Sequence, residues 1–277
     1  MFASIPTFKE NLVFGSMPIG NNADISLNMI AHIADADIIL IESYQYFETI
    51  VEKVTSYLSS LGVNFNINPK IYQYSLESPD YHIQYVNQKL VEAVPDKKIL
   101  VVSDEGSSLF LEPGQLLKSI AEAEKIPYKI ITGPNAAITA AVSVKTNLRQ
   151  FFFGASLPGM PEEYKEKLFS ALNILNEPII FLLTAKSSKE SLEILKNNFN
   201  NHLWFCDFFI SLTMDHEKHF CGSFDEILNA IEENNYLFND EKYDNKFGIV
   251  LLPNEFAMGY NLGQVSTGPE NTESTPA

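Results

Sequence analysis

The sequence predicts an α/β fold: two α/β domains with mainly parallel sheets. Three observations predict it. Short β-branched runs alternate with amphipathic helical stretches from residue 11 to residue 253. The alternation restarts after a polar connector, Lys145–Gln150. The length, 277 residues, suits two domains of ordinary size. The expected divisions are a first domain at 1–146, a second at 150–253, and a polar, flexible tail at 254–277 rich in Gly, Ser, Thr, Pro and Glu. No internal repeat is present.

Each element follows from its own pattern. Asn11–Gly15 and Asp37–Glu42 read as strands, and Asp24 or Ser26 can cap a helix between them that carries Leu27, Ile30 and Ile33. Over Tyr46–Leu61 the apolar residues Phe47, Ile50, Val51, Val54, Leu58 and Leu61 mark one helical face, and Gly62 supplies the stop. Tyr81–Val94 repeats that spacing with Val86, Leu90 and Val94. Lys98–Ser103 is a strand, Pro113 can start a helix faced by Leu116, Leu117 and Ile120, and Tyr128–Thr132 is a strand. Asn135 can cap the Ala-rich helix Ala136–Val144. Beyond the connector come a strand at Phe151–Phe153 and a helix opened by Pro161 that carries Tyr164, Leu168, Leu172 and Leu175. The strand Pro178–Thr184 leads to a helix capped by Ser187. Leu203–Thr213 is a strand region, Ser223 caps Phe224–Glu233, and Phe247–Leu252 is the last strand.

Composition excludes several classes. No apolar run approaches the roughly 18 residues of a membrane helix, so no membrane partner is expected, and Met1–Phe14 lacks the layout of a signal peptide. Two cysteines, Cys206 and Cys221, make no disulfide framework and point to a reducing cytoplasm. The formal net charge is −16, and Arg149 is the only arginine. That balance disfavours a partner held mainly by phosphate contacts, though it says nothing of a local patch.

Four motifs carry chemistry. Gly15–Asn22 is a glycine-bearing strand-to-helix turn that can bring backbone N–H groups to a ligand. Its spacing fits neither a phosphate-binding loop nor a dinucleotide fingerprint, and an ordinary tight turn carries more weight. In Val102–Ser108, Asp104 stands at the C-terminal end of a strand, where a carboxylate can bind ribose hydroxyls or an ammonium group; a helix-capping Asp weighs equally. Thr132–Ala137 can lay a ligand against a helix N-terminus, or can simply allow close helix packing. Asp215–His219, with Cys221 nearby, invites a metal, but its histidines are three apart and one Cys completes no zinc set. A solvated turn stands well ahead, and no metal site is assigned. No nucleophile or general base is identifiable.

Taken in order, Met17-Pro18-Ile19-Gly20-Asn21-Asn22-Ala23-Asp24-Ile25-Ser26, Val102–Gly106 with Glu112-Pro113-Gly114, and Gly133–Ala140 resemble one family. Gly154, Leu157-Pro158, Leu212-Thr213 and Gly222 continue the match. The chain resembles the tetrapyrrole-methylase-type (class III) S-adenosylmethionine-dependent methyltransferases. Within them it is most similar to the bacterial small-subunit rRNA ribose 2'-O-methyltransferase branch. The resemblance implies a cofactor cleft between the two domains, a homodimer, and S-adenosylmethionine held by Pro18, Ser103, Asp104, Leu109, Ala136, Ala137, Thr184 and Met214.

The departures lie on the substrate side. Glu42-Ser43-Tyr44-Gln45 stands where that branch has E-D-T-R, Gly159–Lys165 replaces a basic loop, Leu183–Ser187 replaces E-S-P-H-R, and Ile210-Ser211 replaces R-E. Glu105 stands in place of a small residue. The expectation is therefore a methyltransferase with a small-molecule or peptide acceptor, to which Tyr44, Tyr46 and Phe47 suit an aromatic or apolar group. RNA is the less favoured partner. The alternatives are an rRNA ribose 2'-O-methyltransferase and an inactive scaffold that kept the fold.

Overall fold

The computed structural model describes residues 8–65, 67–75, 78–109, 112, 114–157, 160–175, 177–199, 204–234 and 247–253. Pro113, Pro158 and Gly159, Leu203 and the expected tail at 254–277 lie outside them. The chain divides into two compact units, Met1–Asn135 and Ala136–Ala277.

In the first unit five parallel strands lie in the order β4 (Lys70–Gln73), β3 (Ile38–Ile41), β5 (Ile99–Val101), β1 (Leu12–Phe14), β7 (Tyr128–Ile130). Parallel strands need crossovers, and helices supply them. The side chains alternate between faces. Val13, Ile39, Ile41 and Leu100 join the apolar stripes of α1 (Leu27–Asp35) and α2 (Tyr44–Ser60) on one side. On the other, Leu12, Phe14, Leu40 and Val101 join those of α3 (Asp80–Ala93) and α4 (Gly114–Ala123). Covered on both faces, these strands read as continuous apolar runs. A short antiparallel ribbon pairs β2 (Ser16–Met17) with β6 (Gly106–Ser107).

The second unit orders its strands β11 (Lys218–Gly222), β10 (Trp204–Ile210), β12 (Phe247–Pro253), β9 (Ile179–Leu183), β8 (Phe152–Ser156). Only β8 and β9 pair in parallel, because β10 and β11 are joined by a turn too short for a crossover. One face is covered by α5 (Ala136–Ser143) through Ala137, Ala140 and Ala141. The other packs against α6 (Glu162–Leu175), α7 (Ala185–Asn198) and α8 (Phe224–Glu233). The small alanines let α5 lie close on Ile180, Phe205 and Phe209, so the units divide before this helix, whereas the sequence placed the division after it.

Local chemistry moves some boundaries. Ser26, not Asp24, caps α1, its Oγ accepting the Met29 N–H at 3.1 Å, while Asn22–Asp24 forms a 3-10 turn. Thr184 rather than Ser187 caps α7, with Ser187 completing a reciprocal capping box. The strand region expected to reach Thr213 stops at Ile210, where the chain turns. Tyr164 is exposed on α6 and Leu116 on α4, and Phe47 is core at 3% exposure. The sequence reading missed β4, the β2–β6 ribbon and β11. No helix among the described residues is long and apolar enough to cross a membrane.

Candidate functional site

Among the connections that leave the strands at the C-terminal edge of the first sheet are Gly15–Asn22, Glu42–Ser43, Val102–Leu109 and Ile131–Asn135. Ligands of open parallel sheets bind at this edge. Asp104 is fixed there by main chain. The Ser43 N–H donates to Asp104 Oδ1 at 2.9 Å, and the Asp104 N–H donates to Glu42 Oε2 at 3.3 Å. Ser43 is the N-cap of α2 and makes no side-chain capping bond, so the Asp104 carboxylate stands at the helix's positive end in its place. Beside it, buried Ser103 donates to the carbonyls of Glu105 and Gly106 at 3.0 and 3.3 Å.

The ribbon brings the first turn to the same place. Met17 pairs with Gly106, whose φ of +63° is a left-handed conformation that glycine adopts without cost. Buried Pro18 follows directly, and half-buried Leu109 leaves the far side of β6. Gly133 approaches so closely that a Cβ there would lie 2.8 Å from that of Ser16. Pro18, Ser103, Asp104 and Leu109 thus share one edge. Ser108, which the sequence reading did not select, is 2% exposed, and its Oγ has no hydrogen-bond partner.

The second unit has its own edge. β9 and β10 both run antiparallel to β12 between them, so Thr184 and the turn carrying Met214 emerge on the same side. Ala137 joins the cluster containing Leu212, two residues before Met214, and Ala136 precedes it on α5. Two of these residues have structural duties: Thr184 Oγ1 accepts the Ser187 N–H at 3.3 Å, and Ala137 is core. In the turn, Ser211 and Thr213 hold φ of +53° and +74°, rare for residues with a Cβ. Main-chain bonds lock it: Met214 N–H to Ser211 O at 3.0 Å, Glu217 N–H to Met214 O at 2.9 Å, and Thr213 N–H to the Glu217 carboxylate at 2.7 Å. Ser211 is 1% exposed, with its Oγ unpartnered.

The Asp215–His219 motif is not wholly a solvated turn. Its last two residues enter β11, and His219 Nε2 bonds the fully buried Asp207 of β10. Among the described residues no group of three His, Cys, Asp or Glu could hold a metal. Burial pushes the Cys206 thiol well above its usual value, which removes it as a thiolate nucleophile. The sequence did carry one signal for the Asp207–His219 pair: a lone carboxylate inside Trp204–Ile210, an otherwise apolar run.

The residues present fit S-adenosylmethionine. The Asp104 carboxylate suits ribose hydroxyls or the ammonium group, and the Ser108 hydroxyl of the same connection is a buried group still owed a hydrogen bond.

A family model described as Tetrapyrrole (Corrin/Porphyrin) Methylases matches residues 11–228. A ribosomal RNA small subunit methyltransferase I of Mesomycoplasma conjunctivae is 28% identical over 230 residues, 80% of this chain and 86% of its own. The protein of the same name from Helicobacter pylori strain J99 is 24% identical over 257 residues, 87% of this chain and 86% of its own. Among solved structures, a cobalt precorrin-4 methyltransferase of cobalamin biosynthesis shares the fold with a TM-score of 0.63 at 12% identity, covering 90% of this chain and 98% of its own. The relatives overturn the expectation of a small-molecule or peptide acceptor, since proteins alike over most of their length are named for ribosomal RNA. That expectation gave too much weight to a missing set of arginines; net charge is a sum over the chain and does not describe a local contact.

Proposed function

This chain belongs to the tetrapyrrole (corrin/porphyrin) methylase family, and from that membership we propose that it transfers a methyl group from S-adenosylmethionine to a ribose hydroxyl of small-subunit ribosomal RNA. The observation that supports this acceptor is the likeness to ribosomal RNA methyltransferases along 80% and 87% of the chain. When bound, the cofactor supplies an electrophilic methyl group on a sulfonium. The protein's own work is positioning. Asp104, fixed by Ser43 and Glu42, would hold the ribose hydroxyls or the ammonium group. Ser103, Leu109 and Pro18 would wall the same edge. From the second unit the main chain at Ala136, Ala137, Thr184 and Met214 would contribute. Assembly as a cytoplasmic homodimer belongs to the same reading and is checked by light scattering.

The test is methyl transfer from radiolabelled S-adenosylmethionine to small ribosomal subunits purified from a deletion strain. Label in the RNA, resistant to alkali at one ribose, is expected. Ribose methylation unchanged in the deletion strain would remove this acceptor.

A further inference from the structure

Strand β10 is buried along its whole length, yet its middle residue is Asp207, which is 0% exposed. A carboxylate in such a place costs several kcal/mol unless it is paired and hydrogen-bonded. His219 on β11 meets it through Nε2. The imidazole is held a second time by stacking on Phe209, with ring centroids 4.3 Å apart and planes 11° from parallel. In the tautomer whose Nε2–H donates to the Asp207 carboxylate, Nδ1 keeps its lone pair, which no described residue engages. The side chain retains 19% exposure, so a hydroxyl can reach it. His219 pairs with Phe209, the next-to-last residue of β10, one step inside the edge from which the Ser211–Met214 turn leaves. It shares that region with Leu212 and Cys221, on the face covered by α5.

We propose that His219, oriented by Asp207, is the general base for the acceptor hydroxyl; the assignment rests on the methyltransferase reading above. His219 Nδ1 takes the hydroxyl proton as the oxygen bonds to the donated methyl carbon. The carbon–sulfur bond breaks with its electron pair remaining on sulfur, which discharges the sulfonium. The imidazolium so formed is stabilised by Asp207 and returns its proton to water. A base oriented by a buried carboxylate is the arrangement that other transfer enzymes use to hold a histidine in one tautomer. The titratable groups around it are Asp207, Cys206 and Cys221 in the sheet and Asp215, His216, Glu217 and Lys218 in the turn. Helix α5 and strand β12 bring none.

The test uses the full chain and has two readouts. Nitrogen-15 spectra of the histidines, recorded without ligand, should show His219 neutral with its proton on Nε2, and Asp207→Asn should abolish that preference. Single-turnover transfer to small ribosomal subunits, followed from pH 6 to 9, should fall at least about 100-fold in His219→Gln, with S-adenosylmethionine affinity held within about twofold by calorimetry. Asp207→Asn should lower the rate and move the pH profile, and it decides the matter if His219→Gln fails to fold. A folded, cofactor-binding His219→Gln that keeps its rate, or a wild-type His219 protonated on Nδ1, overturns the assignment. Wild-type protein that labels no RNA overturns the acceptor reading and the assignment with it, before any variant is made.

Discussion

In the first unit the candidate groups are held through backbone N–H groups: the Ser43 N–H donates to Asp104, the Asp104 N–H donates to the Glu42 carboxylate, and a two-residue ribbon pairs Met17, next to Pro18, with Gly106. In the second they are held by buried side chains, a carboxylate paired with an imidazole, near a turn in which Ser211 and Thr213 sit at positive φ. The two arrangements fail differently. Bonds from a backbone N–H keep their donor when the side chain that carries it is changed, whereas a buried side-chain pair depends on both partners. Removing the imidazole leaves a buried carboxylate without its hydrogen bond, and removing the carboxylate leaves an imidazole N–H without its acceptor, at a cost of about 1–3 kcal/mol and more where the group left behind is charged. Asp207→Ala and His219→Ala should therefore be the most destabilising changes at either edge. Hydrogen exchange should localise the loss to β10 and β11 and spare the first sheet. Equal loss in both sheets would break the contrast.

The next effect tests the close main-chain approach in the first unit. A Cβ on Gly114 would lie 2.0 Å from the carbonyl oxygen of Ser108, a backbone atom that cannot swing aside. Gly114→Ala should cost about 1–3 kcal/mol by overpacking, read as a lowered melting temperature. It should also disturb the Ser103–Leu109 connection, so cofactor affinity falls with stability. A variant that melts early yet binds normally would separate Ser108 from the ligand edge.

Asp104→Asn comes third. Asn keeps an acceptor for the Ser43 N–H but loses the charge. Hydrogen bonds to charged groups contribute about 1.5–3 kcal/mol, so cofactor affinity should drop roughly 10- to 150-fold by calorimetry with little change in melting. If melting falls and affinity holds, Asp104 is a cap for α2 and nothing more.

This difference in construction also explains what the sequence disclosed. The first edge is written in turn chemistry: Gly15, Gly106, Pro18 and Gly133-Pro134 mark where the chain must bend, and Asp104 follows a strand. The helices and most strands were legible for the same reason, since periodicity and caps are local. Strand β4, exposed at both ends with Ile71 and Tyr72 half-buried between, carries no local pattern strong enough to show it. At the second edge the decisive facts are tertiary. Nothing local announces positive φ at Ser211 or Thr213, and His219 meets Asp207 only through a cross-strand register set by Phe209 opposite His219. The acceptor was misjudged for a related reason: a count of arginines is a property of composition and says nothing of where charge gathers once the chain is folded.

A second histidine sharpens the contrast at smaller amplitude. His32 on α1 is 0% exposed, like Asp207, but it is not paired with a carboxylate. Its Nδ1 lies 2.8 Å from the Asn28 carbonyl, its Nε2 has no partner, and its ring sits 4.9 Å from that of Phe8. Burial, aided by Lys129, holds its pKa below the usual 6.5, against the raising effects of the Asn28 carbonyl and Asp35. The sign follows from linkage. Above neutral pH both folded and unfolded chains carry a neutral imidazole, and His32 contributes nothing to the slope. As pH falls through 6.5 the unfolded chain takes up a proton that the folded chain resists, so stability is lost until the lower folded value is reached. His32→Gln, neutral throughout, should flatten the fall in melting temperature between about pH 7 and pH 5 relative to wild type, whatever its effect at pH 7. Parallel wild-type and variant curves across that window would show that the first sheet accommodates the charge, and that burial without a carboxylate is no handicap to a histidine in this fold.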